Sequence, residues 1–205
     1  MINLNVISVL KSGGDYKPPH VLALQAMCQR FLPVHKFVCL SDQVINGVTC
    51  VPLKHDWAGW WSKMELFELR PPILYFDLDT VLVGDCTPIV TAARGCPFVI
   101  LRDVYRGKSN PQAMQSSVMY WEEPLDFLSE SFRSSPDFVP GGDQIFIERL
   151  LLERNYPVAY WQDLTDGIVS FKADHREQGA RPGDRIIIFH GKPRPWEQDA
   201  IDYQT

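Results

Sequence analysis

A short apolar run that leads into two carboxylates constrains the fold of this chain more than any other segment. Ile73–Phe76 precedes Asp77-Leu78-Asp79, and two prolines stand before the run. Such a run is typical of a buried strand in a parallel sheet. Residues two apart in a strand point to the same face, so Asp77 and Asp79 are expected to share a side and Leu78 to enter the core.

The acidic pair is a candidate binding site. Ligands of open α/β sheets bind at the carboxyl ends of strands. Two carboxylates on one side of such an edge repel each other and need a cation, a proton or hydrogen-bond donors. Oxygen ligands suit Mg²⁺ or Mn²⁺, so a divalent metal is one solution. The alternative is that both carboxylates cap the following helix or turn.

The rest of the chain alternates predicted strands with predicted helices, which indicates an α/β fold. The expected architecture has three layers around a mostly parallel central sheet, in a single domain over residues 1–205. The predicted strands cover residues 5–10, 36–40, 48–51, 73–83, 96–101, 116–121, 158–161, 169–172 and 185–189. The predicted helices cover residues 20–31, 122–132 and 143–155, and a further helical segment lies within 56–67.

Three further positions have both a structural and a functional interpretation. Lys63 precedes the acidic pair on a helix whose Trp60, Met64 and Phe67 are predicted to share another face, so it is either a solvated lysine or a site residue. Asp143 opens a predicted helix, where a carboxylate is also a good cap. His190 follows the predicted strand 185–189 and precedes a glycine and two cations, a composition that fits either a surface turn or a binding loop.

Composition excludes several classes of function. The 205 residues carry 20 basic and 25 acidic side chains, for a net charge of −5. This balance argues against non-specific nucleic-acid binding. No apolar run reaches the ~18–20 residues of a membrane helix, and the start lacks the pattern of a signal peptide. The five cysteines form no Cys-x-x-Cys and are expected to be reduced, which predicts a cytoplasmic protein.

The order of the motifs extends the prediction over nearly the whole chain. They are the strand and glycine loop at 5–16, Lys63, Asp77-Leu78-Asp79, the Ser-Ser-Val-Met segment at 116–119, Gly142-Asp143-Gln144 and the closing segment 190–196, His-Gly-Lys-Pro-Arg-Pro-Trp. In this order they resemble a GT-A fold glycosyltransferase of the family of glycogenin and bacterial lipopolysaccharide galactosyltransferases. The resemblance implies transfer of a sugar from a nucleotide diphosphate sugar, with UDP as the expected nucleotide.

The resemblance also implies roles for individual residues. The Asp-x-Asp pair and His190 would hold Mn²⁺, or Mg²⁺, against the diphosphate, with Asp77 also near the ribose. Asp143 and Gln144 would lie beside the donor sugar at the reacting carbon. The remaining implied donor contacts are Val9, Lys11, Asp15 and Tyr16 around the nucleoside and Lys63, Lys192 and Arg194 at the diphosphate or sugar. The acceptor, whether saccharide, lipid-linked or protein, is expected to meet the variable segments 57–61 and 104–115.

The closing segment departs from the family pattern His-x-x-Gly-x-x-Lys-Pro. Aligning on Gly191 places Arg194, and not Lys192, at the lysine position and displaces His190 by two positions. The departure weakens the expectation that His190 is a metal ligand.

Two other functions fit parts of the sequence. A phosphatase of the haloacid dehalogenase type would use Asp77 as nucleophile and Asp79 as acid and base. That reading ranks second because Thr80 stands where its motif has glycine and because a late acidic pair is missing after Gly142-Asp143 and Gly183-Asp184. The third reading is a nucleotide-sugar binding module without catalysis.

Overall fold

The computed structural model describes residues 4–33 and 35–199. Residues 1–3 lie outside the described part. The prediction that the chain starts without a signal peptide therefore rests mostly on residues that the structure does not describe. Within the described ranges, no helix is both long enough and apolar enough to span a bilayer.

Strands and helices alternate along the chain, as their apolar patterns predict. The strands are β1 Leu4–Leu10, β2 His35–Ser41, β3 Thr49–Pro52, β4 Ile73–Phe76, β5 Thr80–Leu82, β6 Phe98–Arg102, β7 Met114–Trp121, β8 Ala159–Tyr160, β9 Ile168–Ser170 and β10 Ile186–Ile188. The α-helices are α1 Pro18–Phe31, α2 Thr87–Ala93, α3 Asp126–Ser134, α4 Asp143–Glu153 and α5 Trp161–Leu164. Three 3₁₀ helices cover Gly59–Glu68, Arg106–Lys108 and Pro195–Glu197.

Seven strands form the central sheet in the order β3-β2-β1-β4-β7-β6-β8. The pairs β1-β2, β1-β4, β2-β3 and β6-β8 are parallel, and β7 runs antiparallel to β4 and β6. The predicted α/β class and the mostly parallel sheet are therefore confirmed. The chain winds outward from β1 in both directions, so the carboxyl ends of β1 and β4 flank the switch point at which such sheets bind ligands.

Two apolar cores, one on each face, sandwich the central sheet. One includes side chains of α1 and α2 and of a second sheet of order β5-β10-β9, and the other includes side chains of α3, α4 and the long 3₁₀ helix. All five cysteines are free, and three of them are buried. The expectation of reduced core cysteines is consistent with this arrangement.

The acidic pair does not lie within one continuous strand, contrary to the prediction for residues 73–83. β4 ends at Phe76, Asp77-Leu78-Asp79 forms a turn, and the chain enters the second sheet as β5. Leu78 is buried as expected, at 3% exposure. The two-residue repeat of a strand therefore does not explain why the two carboxylates are neighbours; the turn does.

The segment Gly59–Glu68 differs from the predicted α-helix in its period. A 3₁₀ helix has three residues per turn, so Trp61, Met64 and Phe67 share the buried face. Trp60 is 62% exposed instead, and it lies on the same side of the helix as Lys63. The period therefore does not separate these two residues: Lys63, one turn after Trp60, is 5% exposed because it lies deeper in the protein.

Candidate active site

The carboxyl end of β4 and its neighbours position the acidic pair. The Asp77 backbone N–H donates to the Ser117 carbonyl of β7 at 2.8 Å, and Thr80 N–H donates to the Asp77 carbonyl at 3.1 Å. The first bond fixes the turn to the central sheet and the second closes it before β5. The turn therefore joins the two sheets and presents both carboxylates at the switch point.

Lys63 lies between two carboxylates from different elements. Its Nζ is 2.9 Å from Asp77 Oδ1 and 3.0 Å from Asp143 Oδ2, and its side chain is 7% exposed. Burial alone would lower the pKa of Lys63, but the charges of Asp143 and Asp77 raise it above its ordinary value. Lys63 is therefore a fixed cation and not the solvated lysine of the structural alternative.

Hydroxyl groups complete this first cluster. Lys63 Nζ donates to Ser116 Oγ at 3.1 Å, and Ser116 Oγ donates to Asp143 Oδ2 at 2.7 Å. The Tyr75 hydroxyl donates to Asp77 Oδ1 at 2.5 Å. Every carboxylate of the cluster thus has both a cation and a hydroxyl donor, which compensates for its partial burial.

A second cluster surrounds Asp79. Arg194 Nη1 donates to Asp79 Oδ2 and, at 2.8 Å, to the Tyr16 hydroxyl, which itself donates to Asp79 at 2.8 Å. The Asp79 side chain is 5% exposed and that of Arg194 is 17% exposed. Arg194 also lies over the Tyr16 ring, with its guanidinium carbon 5.0 Å from the ring centroid. Residues separated by more than 100 positions thus meet at the end of β10.

The two clusters interact electrostatically. Burial and the neighbouring charge of Asp77 raise the pKa of Asp79 from 3.8 to about 6, although Tyr16 and Arg194 act in the opposite direction. Burial and the Asp79 carboxylate likewise raise the pKa of Tyr16 well above its ordinary value. Tyr16 is therefore a hydrogen-bond donor and not a base at neutral pH.

His190 forms no hydrogen bond with either carboxylate of the acidic pair among the described residues, although the charge of Asp77 acts to raise its pKa. Its Nδ1 is 3.5 Å from Gln115 Nε2, its ring meets the edge of Tyr105, and its buried Nε2 has no hydrogen-bond partner among the described residues. Burial and the nearby Lys172 ammonium lower its pKa. The imidazole is therefore neutral near pH 7.

The other predicted donor residues are placed less closely around the clusters. Lys11 is engaged with Asp42 and Asp56, and its Nζ lies 3.3 and 2.8 Å from their carboxylates. Asp15 is 68% exposed, with Oδ2 3.7 Å from Arg194 Nη2. The remaining three are Val9 in β1, Gln144 next to Asp143 in α4, both half-buried, and Lys192, whose side chain is 78% exposed.

Each carboxylate of the acidic pair has a side-chain cation on one of its oxygens. Lys63 lies at Asp77 Oδ1 and Arg194 at Asp79 Oδ2, so an ion between the carboxylates would compete with these cations. Among residues 4–33 and 35–199 no group of three histidine, cysteine, aspartate or glutamate side chains is close enough to hold a metal ion. The set expected from the resemblance, Asp77, Asp79 and His190, is accordingly not found as such a group among these residues.

Sequence reasoning missed Tyr75 and gave Ser116 no role. Tyr75 was noted only as part of an apolar run, and Ser116 only as part of a segment that resembles the family. The Tyr75 hydroxyl nevertheless donates a hydrogen bond to Asp77, and the Ser116 hydroxyl donates one to Asp143. A signal exists for Ser116, because a serine pair in a strand buried along its whole length needs polar partners.

An exposed aromatic side chain borders the site. Trp60 lies over Gly142, the residue before Asp143, so that a side chain built on this glycine would meet the indole nitrogen at 3.0 Å. Gly142 has φ of +80°, which favours glycine. The indole thus packs against Gly142 at the start of α4, while most of its surface is exposed to solvent.

Comparison with known proteins gives matches of structure only: no family model and no curated protein sequence matches the chain. LgtC, a galactosyltransferase also solved with donor and acceptor sugar analogues, has a TM-score of 0.66 at 11% identity over 96% of this chain and 90% of its own. The glycosyltransferase GlyE of Streptococcus pneumoniae TIGR4 has a TM-score of 0.67 at 14% identity, over 97% of this chain and 57% of its own. Mouse xyloside xylosyltransferase 1 has a TM-score of 0.54 at 13% identity, over 94% of this chain and 98% of its own.

These three structures share one architecture with the chain over almost all of its length, although this chain spans little more than half of GlyE. At such identities the likeness concerns the backbone arrangement, and it agrees with the sheet order and the switch point described above. The chain has the fold of these glycosyltransferases, the GT-A fold.

Proposed function

We propose that the chain transfers a sugar from a nucleotide diphosphate sugar to an acceptor. The observation that carries the proposal is the cluster of Lys63, Asp77 and Asp143 beside the Arg194 cluster, at the switch point of a GT-A fold. The structural neighbours are glycosyltransferases, and LgtC is described with donor and acceptor sugar analogues. A fold alone does not define activity, so the site residues must support the assignment.

The chemistry of the site suits the departure of a nucleoside diphosphate. Bond cleavage at the sugar carbon leaves negative charge on the diphosphate, and preorganised cations stabilise such charge. Arg194, anchored by Asp79, and Lys63, anchored by Asp77 and Asp143, are held in position before substrate arrives. UDP is the proposed nucleotide, and the ring of Tyr16 and the glycine loop after β1 are proposed to receive the nucleoside.

Asp143 and Gln144 are the proposed residues at the reacting carbon. Asp143 is 6% exposed and is fixed by Lys63 and Ser116, so it is held in the orientation that a sugar-binding or nucleophilic carboxylate requires. Retention of configuration is proposed on the resemblance alone. The free cysteines support a reducing, cytoplasmic setting for the enzyme.

Release of the nucleotide tests the function directly. The protein is incubated with a panel of nucleotide diphosphate sugars, and free UDP or GDP is measured beside phosphate released from a phosphomonoester. Nucleotide release that is lost in Asp143→Asn supports the proposal. Phosphate release dependent on Asp77 would instead support the phosphatase, and binding of UDP without turnover of any donor would support the binding module.

Trp60 is proposed to stack on the acceptor, because aromatic faces stack on sugar rings and because 62% of this side chain is exposed beside Asp143. With mono- and disaccharides as acceptors, Trp60→Ala is expected to lower transfer at least tenfold, about 1.4 kcal/mol, while donor hydrolysis continues. Trp60→Phe should restore most of the transfer. Equal loss of both reactions would contradict an acceptor role.

A further inference from the structure

We infer that Arg194 takes the position that a divalent ion would have at this acidic pair, so that side-chain cations alone bind the diphosphate of the nucleotide. The inference rests on the proposed function. It concerns how the leaving group is held and predicts that donor binding needs no added metal. It departs from what the Asp-x-Asp motif by itself suggests.

The first argument is the occupation of both carboxylates. Asp79, in the motif position where an ion would bind, accepts a hydrogen bond from Arg194 and a second one from Tyr16. Asp77 Oδ1 is 2.9 Å from Lys63 Nζ and accepts the Tyr75 hydroxyl as well. One oxygen of each carboxylate, Asp79 Oδ2 and Asp77 Oδ1, is therefore engaged by a cation and a hydroxyl of this chain, and an ion bridging the pair would have to share these carboxylates with Arg194 and Lys63.

The second argument comes from the position at which the family pattern has its histidine. Aligned on Gly191, that position is Ile188, which lies in β10 and is 2% exposed. An isoleucine offers no ligand atom. His190, two positions later, contacts Gln115 and Tyr105, and among the described residues it has no hydrogen bond to the acidic pair. The third protein ligand is thus missing where the fold would supply it.

The third argument is the geometry of the Arg194 side chain. Nη1 is consumed by Asp79 and Tyr16, whereas Nη2 has only a 3.7 Å approach to the exposed Asp15 among the described residues. A guanidinium presents several donors in one plane and binds phosphate oxygens in pairs. Arg194 can therefore remain on Asp79 and still offer donors to a diphosphate on its other side.

The charge of the clusters indicates a further participant. Asp77, Asp79 and Asp143 face two cations, Lys63 and Arg194, so the diphosphate needs additional positive charge. Lys192 precedes Arg194 by two residues, its side chain is 78% exposed, and its Nζ is 3.6 Å from Glu197. Such a loose surface pair costs little to break. Lys192 is the side chain that turns toward the bound diphosphate.

Binding of UDP, measured with and without metal, tests the inference. Titration calorimetry and thermal unfolding are run with UDP in EDTA, with UDP plus Mn²⁺ and with Mn²⁺ alone. We expect the dissociation constants for UDP in EDTA and in Mn²⁺ to agree within about twofold, and the rise in unfolding temperature to be the same in both, because a ligand stabilises the state it binds. Mn²⁺ alone should leave the unfolding temperature unchanged.

Variants identify the cation. Arg194→Gln is expected to weaken UDP binding in EDTA at least tenfold, and Lys192→Gln several-fold. Arg154→Gln and Lys36→Gln, which remove exposed cations away from the clusters, should bind UDP like the unaltered protein. If Arg194→Gln does not fold, Arg194→Lys replaces it in the same binding measurement, because lysine keeps the charge but lacks the planar guanidinium that binds two phosphate oxygens.

The outcomes separate this inference from the function on which it rests. UDP binding that appears only with Mn²⁺, or that Arg194→Gln leaves intact in EDTA, overturns the inference and leaves the glycosyltransferase proposal standing. No binding of any nucleotide under either condition overturns both.

Discussion

Lys63 and Asp79 show how single residues set the charge of the candidate site. Lys63 is the cation between two carboxylates that would otherwise repel each other, and Asp79 is the acid whose pKa is displaced upward. Neither property can be derived from the sequence around it. The Asp-x-Asp motif predicted the presence of the acids, but the cations that pair with Asp77 and Asp79 lie 14 and 115 positions away in sequence, and only the fold identifies them.

Asp79 is expected to make stability depend on pH. Because its folded pKa of about 6 exceeds its ordinary 3.8, the folded state binds this proton more tightly, and the stabilisation is complete below about pH 4 and lost as the pH rises through about 6. The shift corresponds to roughly 3 kcal/mol. Urea unfolding should show the advantage of the unaltered protein over Asp79→Asn shrinking by about this amount over the same pH range.

A reference variant fixes the sign of that effect. Asp163 is a surface carboxylate whose pKa is lowered by its hydrogen bonds with Arg102. Its contribution is present at neutral pH and lost as the pH falls, so Asp163→Asn should give a small slope of opposite direction. An advantage over Asp79→Asn that grows with pH would mean that Arg194 keeps Asp79 ionised.

Removing the buried ammonium is expected to destabilise the fold strongly. Lys63→Met leaves two carboxylates without their cation, which should lower the free energy of unfolding by about 3–5 kcal/mol in urea titrations. Lys54→Met removes a lysine that is 65% exposed and paired with Glu68, and the same substitution there should cost about 1 kcal/mol or less. Equal costs at the two positions would contradict the buried ion-pair network.

At the scale of elements, the 3₁₀ helix Gly59–Glu68 explains most of the difference between prediction and structure. Apolar periodicity located the segment correctly but assigned it the period of an α-helix, because Trp60, Met64 and Phe67 also fit that period. The outcome at Trp60 depends on packing against Gly142, a contact between segments that no local pattern contains. The strands β1 and β2, by contrast, follow from the apolar runs of their own segments, and these runs predicted their ends within one or two residues.

Gly142 is expected to tolerate no side chain. Its φ of +80° strains any other residue, and a Cβ would lie 3.0 Å from the Trp60 indole. Gly142→Ala should lower the free energy of unfolding by about 2–4 kcal/mol, the sum of backbone strain and steric displacement. Gly95→Ala isolates the first contribution, because Gly95 has φ of +79° and open space around it.

The measurement is urea unfolding of both glycine variants, with tryptophan emission recorded in the native state. We expect Gly142→Ala to cost more than Gly95→Ala and to shift the emission, since Trp60 must move. Identical costs and identical spectra would mean that Trp60 does not rest on this turn.

At the scale of the whole molecule, the site is built where two sheets meet. The strands that became β9 and β10 were predicted, but their pairing with β5 in a second sheet was not, because residues 73–83 were taken as one continuous strand and no local pattern shows the break before β5. β5 follows Asp79 directly and β10 leads to Arg194, so their antiparallel pairing brings the ends of the cluster together.

Nucleotide binding is expected to slow hydrogen exchange where the two sheets meet. Hydrogen exchange should slow on addition of UDP in segments 11–16 and 190–197, because both would contact the nucleotide, whereas the start of β2 at the opposite edge should be unchanged. Protection confined to 11–16 would mean that the closing segment takes no part in binding.

The pairing of β5 with β10 has a consequence for biosynthesis. Asp79 and Arg194 are 115 positions apart, so a growing polypeptide carries the first half of the cluster long before the ribosome makes the second. Chains fold from the amino end as they emerge, and contacts of high sequence separation form late. A nascent chain that stops before β10 therefore has Asp79 without its guanidinium, and the pair with Arg194 forms only after segment 190–194 has been made.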